Sequence, residues 1–121
     1  MPDAMSPAPV KPPISMADVE RLDVRVGTVR AVEDVPASKK LVRLRVDFGG
    51  HTRTILAGMK GERDDCRKIE GLQALFVVNL EPKRMAGEVS EGMLFDLGYA
   101  DGMTPVLAVP EAPVPDGTRA G

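Results

Sequence analysis

Lys83 and Arg84 stand side by side in the stretch NLEPKRMAGEVSEGM, residues 79–93, which separates two apolar runs, ALFVV before it and LFDLGY after it. Adjacent cations in a connecting segment suit phosphate oxygens, because a guanidinium can bind two oxygens at once and an ammonium adds a compact charge. The competing assignment is a solvated turn. Asn79 offers donors and an acceptor, either to the loop's own backbone or to a nucleotide edge. Ser90 either donates to a phosphate or caps the loop. Met93 either lies against a sugar or base or opens a strand as a core residue. A second group of cations comprises Lys39, Lys40, Arg43, Arg45 and Arg53, opposed between residues 39 and 53 only by Asp47. It is the best local footprint for a polyanion, set against the alternative of an ordinary solvated strand face.

Material for covalent or metal chemistry is scarce. His51 is the only histidine and follows two glycines, so one chain assembles neither a Ser/His/Asp set nor a metal cluster. Cys66, the single cysteine, lies in ERDDCRK without an activating histidine and has no intrachain disulfide partner. Asp64 and Asp65 lack further oxygen ligands at a recognisable spacing. The expectation is a protein that is not an enzyme and needs no cofactor. With 121 residues, 16 Lys+Arg against 18 Asp+Glu and a net charge of −2, the chain is sized for one domain and has no bulk attraction to nucleic acid. A polyanion site must therefore be local. Neither a signal-peptide layout nor a bilayer-length apolar run is found, and the expected location is the cytoplasm. Phe48, Phe76, Phe95 and Tyr99 are all the aromatics, and the phenylalanines fall in apolar strand settings. Stacking of unpaired bases is thus disfavoured, while recognition of a structured RNA through backbone and shape stays open.

Residues 1–14 contain five prolines and are expected to form a disordered or extended leader, with the folded domain spanning 15–121. Ser15 is a candidate N-cap for a short helix through about Arg21, expected to plug one barrel end. Leu22, Val24 and Val26 share one face of a first strand. After Gly27 the phase moves to Val29 and Ala31, as at a bulge. LVRLRVDFGG alternates, with Val42, Leu44, Val46 and Phe48 inward and Leu41, Arg43, Arg45 and Asp47 outward. Gly49 and Gly50 turn the chain into TRTILAG. A charged loop and helix follow, anchored by Ile69, before strands in LQALFVVNL and GMLFDLGYA. This order predicts an all-β protein, a five-stranded OB-fold barrel with a short helix between strands 3 and 4. An SH3-like barrel would not ordinarily carry that helix. The proline-punctuated TPVLAVPEAPVPDGT reads as a C-terminal edge extension, able to pair with a second copy of the chain.

Four blocks, LDVRVG (22–27), LVRLRVDFG (41–49), VVNLEPKRMAGEVSEGM (77–93) and VPDGT (114–118), together resemble the tRNA-binding domain family. That family includes the C-terminal appendage of methionyl-tRNA synthetases, free-standing structure-specific tRNA-binding proteins and the CsaA-type export-related chaperones. The resemblance covers roughly residues 15–121. It implies a homodimeric OB-fold that grips tRNA by shape without catalysis, with an aminoacyl-tRNA synthetase as a further partner. In the CsaA branch the partner would be an unfolded polypeptide. The loop pattern carries over to Asn79, Leu80, Pro82, Arg84, Gly87, Ser90, Glu91, Gly92 and Met93. Glu81 and Ala86 stand where the family usually has cations, with Lys83 in partial compensation, and PASKK places Lys39 where an acidic residue is usual. The Gly-Met pair after Ser90 and Glu91 favours tRNA binding; the acidic total and the missing loop cations favour the chaperone. Arg25 suits a barrel-surface or dimer-contact role better than a ligand contact.

Overall fold

The computed structural model describes residues 7–121, so the first six residues of the proline-rich leader lie outside the described residues. Residues 7–14 form neither helix nor strand and are exposed throughout. The amide of Ala8 donates to the Asp101 carboxylate. Helix α1, Met16–Glu20, starts where the Ser15 hydroxyl accepts from the Asp18 amide at 3.2 Å, as its N-cap position requires. None of its residues is buried, so α1 does not plug the barrel as the sequence suggested. One turn and a half of helix carries too few apolar side chains to fill a barrel end, and Met16 and Val19 instead line an open groove.

The sheet is built around one long strand, β1 (Val24–Asp34). It pairs with β2 (Val42–Asp47) through residues 28–34 and with β4 (Gln73–Val77) through residues 24–28. With β3 (Thr52–Ala57) and the two-residue β7 (Met93–Leu94) the antiparallel order is β3-β2-β1-β4-β7, a curled half-barrel consistent with an OB-like fold. The expected bulge exists but sits at Arg30, between Val29 and Ala31, rather than directly after Gly27. The run from Val26 to Val29 is buried, so alternation does not show at this point. A Cβ at Gly27 would lie 2.5 Å from Val46 Cγ1 and 2.8 Å from Phe48 Cε1, and buried Thr28 instead donates its hydroxyl to Asp116 at 2.6 Å. Leu22 lies ahead of the strand and is half exposed. In β2 the reading holds: Val42, Leu44 and Val46, with Phe48 beyond, enter the core, where Ile55, Met59 and Phe76 meet them. The connection from β3 to β4 contains one 3-10 turn, Cys66–Ile69, capped by Asp65 and anchored by buried Ile69.

Side chains take part in closing the barrel. The edge of β3 faces residues 90 and 91, where the Glu91 amide donates to the Thr54 carbonyl at 2.8 Å and the Thr54 amide donates to Glu91 Oε1 at 2.9 Å. The Leu56 amide donates to Ser90 Oγ at 3.0 Å, and that hydroxyl donates onward to the Gly92 carbonyl at 3.0 Å. A hydroxyl and a carboxylate thus replace ladder carbonyls along this edge of β3. Ser90→Ala leaves the buried Leu56 amide without an acceptor. The expected cost is about 1–3 kcal/mol, read as a lower urea midpoint at unchanged m-value.

The C-terminal extension first forms a small ladder, β8 (Asp96–Leu97) with β9 (Val106–Leu107). It then runs along β1, where the Val26 amide donates to the Thr118 carbonyl at 2.9 Å, Gly117 returns a bond to Val26 at 2.7 Å and the Ala120 amide donates to Val24 at 2.8 Å. The extension is therefore an edge strip, and residues 117–120 pair with the chain's own first strand. Among the described residues no helix is long and apolar enough to cross a membrane.

Candidate nucleic-acid interface

The stretch 79–93 folds back on itself as a hairpin of its own, β5 (Lys83–Met85) paired with β6 (Glu88–Ser90). Ala86 and Gly87 join the strands with φ of 50° and 80°. Two successive positive φ values match the I′ hairpin turn, whose twist agrees with that of the flanking strands. Glycine adopts this conformation freely; Ala86 adopts it at a cost of about 1–2 kcal/mol. The hairpin carries Lys83 and Arg84 into solvent, and neither makes an ion pair among the described residues.

Beside the hairpin lies the outer face of β2. Arg43 Nε stands 2.9 Å from Glu33 Oε1 and its Nη1 2.5 Å from Glu88 Oε1, while Arg45 Nε lies 3.2 Å from the same Glu33 oxygen. Glu33 is the residue opposite Arg43 in the β1–β2 register. The hydrogen bond from Arg43, then that from Arg45, holds the Glu33 carboxyl below the usual carboxylate range. The Arg43–Glu88 bond also ties the hairpin to the sheet. Between them is an open groove of about 490 Å³ bordered by Arg43, Arg45, Thr54, Pro82, Glu88 and Val89. Lys39 and Lys40 are exposed in the loop that leads into β2, without ion pairs among the described residues.

Other residues singled out in the sequence sit elsewhere. Arg53 is the register partner of Val46 and therefore falls on the inner face, away from Arg43 and Arg45. Its guanidinium lies 5.9 Å from the Phe48 ring centre and donates to the carbonyls of Val78 at 2.6 Å and Glu91 at 3.1 Å, and to His51 Nε2 at 3.0 Å. The expected five-cation patch thus loses Arg53, whose donors are engaged by His51 and by the Val78 and Glu91 carbonyls. Asn79 accepts from the Asp23 amide at 2.9 Å and donates to the Arg21 carbonyl at 2.6 Å, fastening the segment ahead of β1 to the end of β4. Ser90 has its hydroxyl committed to barrel closure. Met93 is 44% exposed on β7. Arg25 pairs with Asp23 at 2.9 Å and donates to the Gly117 carbonyl at 3.3 Å. The counter-ions Glu33 and Glu88 are not legible in the sequence, because their closeness to the arginines depends on strand register and hairpin placement.

What remains is a groove on strands 2 and 3, flanked by the loop between strands 1 and 2 and by the hairpin between β4 and β7. In OB-type barrels this face and these two loops bind oligonucleotides. The pattern of the family described as putative tRNA binding domain matches residues 24–119. The chain belongs to this tRNA-binding domain family. Among curated family relatives, methionine-tRNA ligase of Porphyromonas gingivalis is 38% identical over 112 residues, covering 93% of this chain. The corresponding ligase of Bacteroides fragilis is 36% identical over 99 residues, covering 82%. The chain spans only 16% and 14% of the lengths of these two proteins. Among solved structures, the MetRS-related protein from Pyrococcus horikoshii superposes with a TM-score of 0.83 at 32% identity, covering 92% of this chain and 100% of that one. Chaperone CsaA from Bacillus anthracis gives a TM-score of 0.76 at 31% identity, covering 91% and 100%.

Proposed function

We propose that this domain binds folded tRNA as a homodimer, through phosphate contacts and shape and without catalysing a reaction. The observation that carries this is the placement of Lys39, Lys40, Lys83 and Arg84. These four exposed cations have no ion-pair partner among the described residues and flank the oligonucleotide-binding face of the barrel. In a chain of net charge −2 they supply positive charge locally, beside this face. Phe48 and Phe76 are buried, so bases splayed onto this face find no aromatic platform from them, and duplex backbone is the better match. The relatives being methionine-tRNA ligases, the proposal includes supplying affinity for tRNA to an aminoacyl-tRNA synthetase, in the cytoplasm where that chemistry occurs. The test is a gel-shift titration of folded tRNA against an unstructured RNA of equal length at several salt concentrations. A preference for tRNA with a steep salt dependence supports the proposal; equal weak binding of both refutes it.

The dimer has its own physical basis. Met16, Val19, Leu22, Leu75 and Phe95 border a groove of about 610 Å³ lined mainly by apolar groups. Apolar surface left open in this way favours burial against a partner, and a two-fold related copy brings the same groove to meet it. Val19→Asp combined with Leu22→Asp is expected to convert a dimer to a monomer by light scattering, with the circular dichroism spectrum retained. A wild type that is already monomeric contradicts the dimer. The same groove, together with the CsaA-like fold, favours a second function, the holding of unfolded polypeptide. It is recognised if a denatured client stays soluble with the wild type and aggregates with the double variant.

A further inference from the structure

We propose that Glu33 and Glu88 are specificity-determining residues of the β2 face, built-in competitors for Arg43 and Arg45 that make binding depend on the shape of the polyanion as well as its charge. This rests on the tRNA-binding proposal above and adds residues that neither the loop motif nor the cationic patch contains.

Arg43 and Arg45 border the groove, and each has a carboxylate partner. One Glu33 oxygen serves Arg43 at 2.9 Å and Arg45 at 3.2 Å, and Glu88 reaches Arg43 from the hairpin at 2.5 Å. The side chains of Arg43, Glu33 and Glu88 are all partly exposed, at 26%, 41% and 28%, so an incoming phosphate can reach them. Arg43, held by two carboxylates, meets a phosphate chiefly by exchanging one charge-assisted hydrogen bond for another, with little net gain; Arg45, held through Nε alone, keeps further donors, and there the Glu33 charge acts by repelling the phosphate. The outlying Lys39, Lys40, Lys83 and Arg84 impose no such exchange. A flexible polyanion that meets only the groove therefore gains little. A rigid ligand broad enough to reach the β1–β2 loop and the hairpin together collects the charges that have no ion-pair partner among the described residues. The acids penalise contact through Arg43 and Arg45 and leave the periphery, where shape is sampled, to carry the affinity. Discrimination by a repulsive element of this kind complements attraction.

The test uses the full chain, Glu33→Gln and Glu88→Gln made separately, and fluorescence anisotropy with folded tRNA and with an oligouridylate of equal length across a salt series. Glutamine keeps an acceptor oxygen for the arginines, so the substitution removes charge while conserving shape. A melting temperature within a few degrees of wild type confirms that the fold persists. Glu33→Gln is expected to raise oligouridylate affinity about tenfold and tRNA affinity about threefold, narrowing the preference and steepening the oligouridylate salt slope by about one. Glu88→Gln is expected to act in the same direction. Unchanged oligouridylate affinity and slope in both variants, or an equal gain for both RNAs, overturns the proposal. Should the wild type show no preference for tRNA, the functional proposal falls, and the counter-charge role is then decided by the oligouridylate slope alone: steeper supports it, unchanged overturns it.

Discussion

Replacing Lys83 and Arg84 together by alanine lowers the affinity for folded tRNA by about 100-fold at low salt and flattens the slope of log affinity against log salt by about two. Both side chains sit on β5, exposed and free of carboxylates among the described residues, so their charge is fully available to a phosphate. A charge-assisted contact of this kind is worth about 1.5–3 kcal/mol, roughly tenfold or more for each residue. Because neither residue holds the hairpin to the sheet, the change is expected to alter stability by no more than about 0.5 kcal/mol. Arg43→Ala is a poorer probe, since it also breaks the Glu88 tie that positions the hairpin. Anisotropy with labelled tRNA at several salt concentrations measures both quantities. A loss of less than threefold with an unchanged slope would place the phosphate contacts elsewhere.

The largest expected loss of stability is at Gly117, far from any cation of the proposed face. Its φ is +89°, and a Cβ there would lie 2.3 Å from the Phe48 carbonyl oxygen, a backbone atom that cannot rotate away. Alanine meets both the left-handed backbone cost and the clash, about 3 kcal/mol or more together. To relieve it the tail must lift from β1, which strips partners from the Val24 and Val26 backbones and uncovers Thr28, now bonded to Asp116. The expected fall in melting temperature is about 10–20 °C. Gly50→Ala, where nothing lies within 4 Å of the added carbon, is the control and should be close to neutral. Equal melting temperatures for the two variants would mean that the tail contributes nothing to the barrel.

Alternation in residues 41–48 was sufficient to place Arg43 and Arg45 outward, because one side of β2 packs in the core and the other does not. Arg53 falls outside the expected patch for a reason that strand register makes countable. Outward from the Gly49–Gly50 turn, Asp47 opposes Thr52 and Val46 opposes Arg53, which sets Arg53 with the inward series. The bulge at Arg30 was harder to locate, since Gly27 has no side chain to show a face and Thr28 is buried through a bond to the distant Asp116. The inner hairpin lacked the usual Asn-Gly signal, and Ala86 at positive φ is not a residue that sequence alone assigns to such a turn. The roles of Ser90 and Glu91 in closing the barrel depend on β3, more than thirty residues upstream, as the Thr54 and Leu56 bonds show. No local pattern reports such a contact. The same is true of Glu88 beside Arg43, so the cationic patch read from the sequence omitted the acids that offset it.

The most direct measurement is the amide spectrum of isotopically labelled protein titrated with folded tRNA. The expected result is that the strongest changes fall in the β1–β2 loop at Lys39 and Lys40 and on the hairpin at Lys83 and Arg84, while α1 and the Phe95 groove keep their positions. Changes concentrated at Val19, Leu22, Phe95 and Ala120, with the hairpin unmoved, would contradict it and assign RNA contact to the apolar groove.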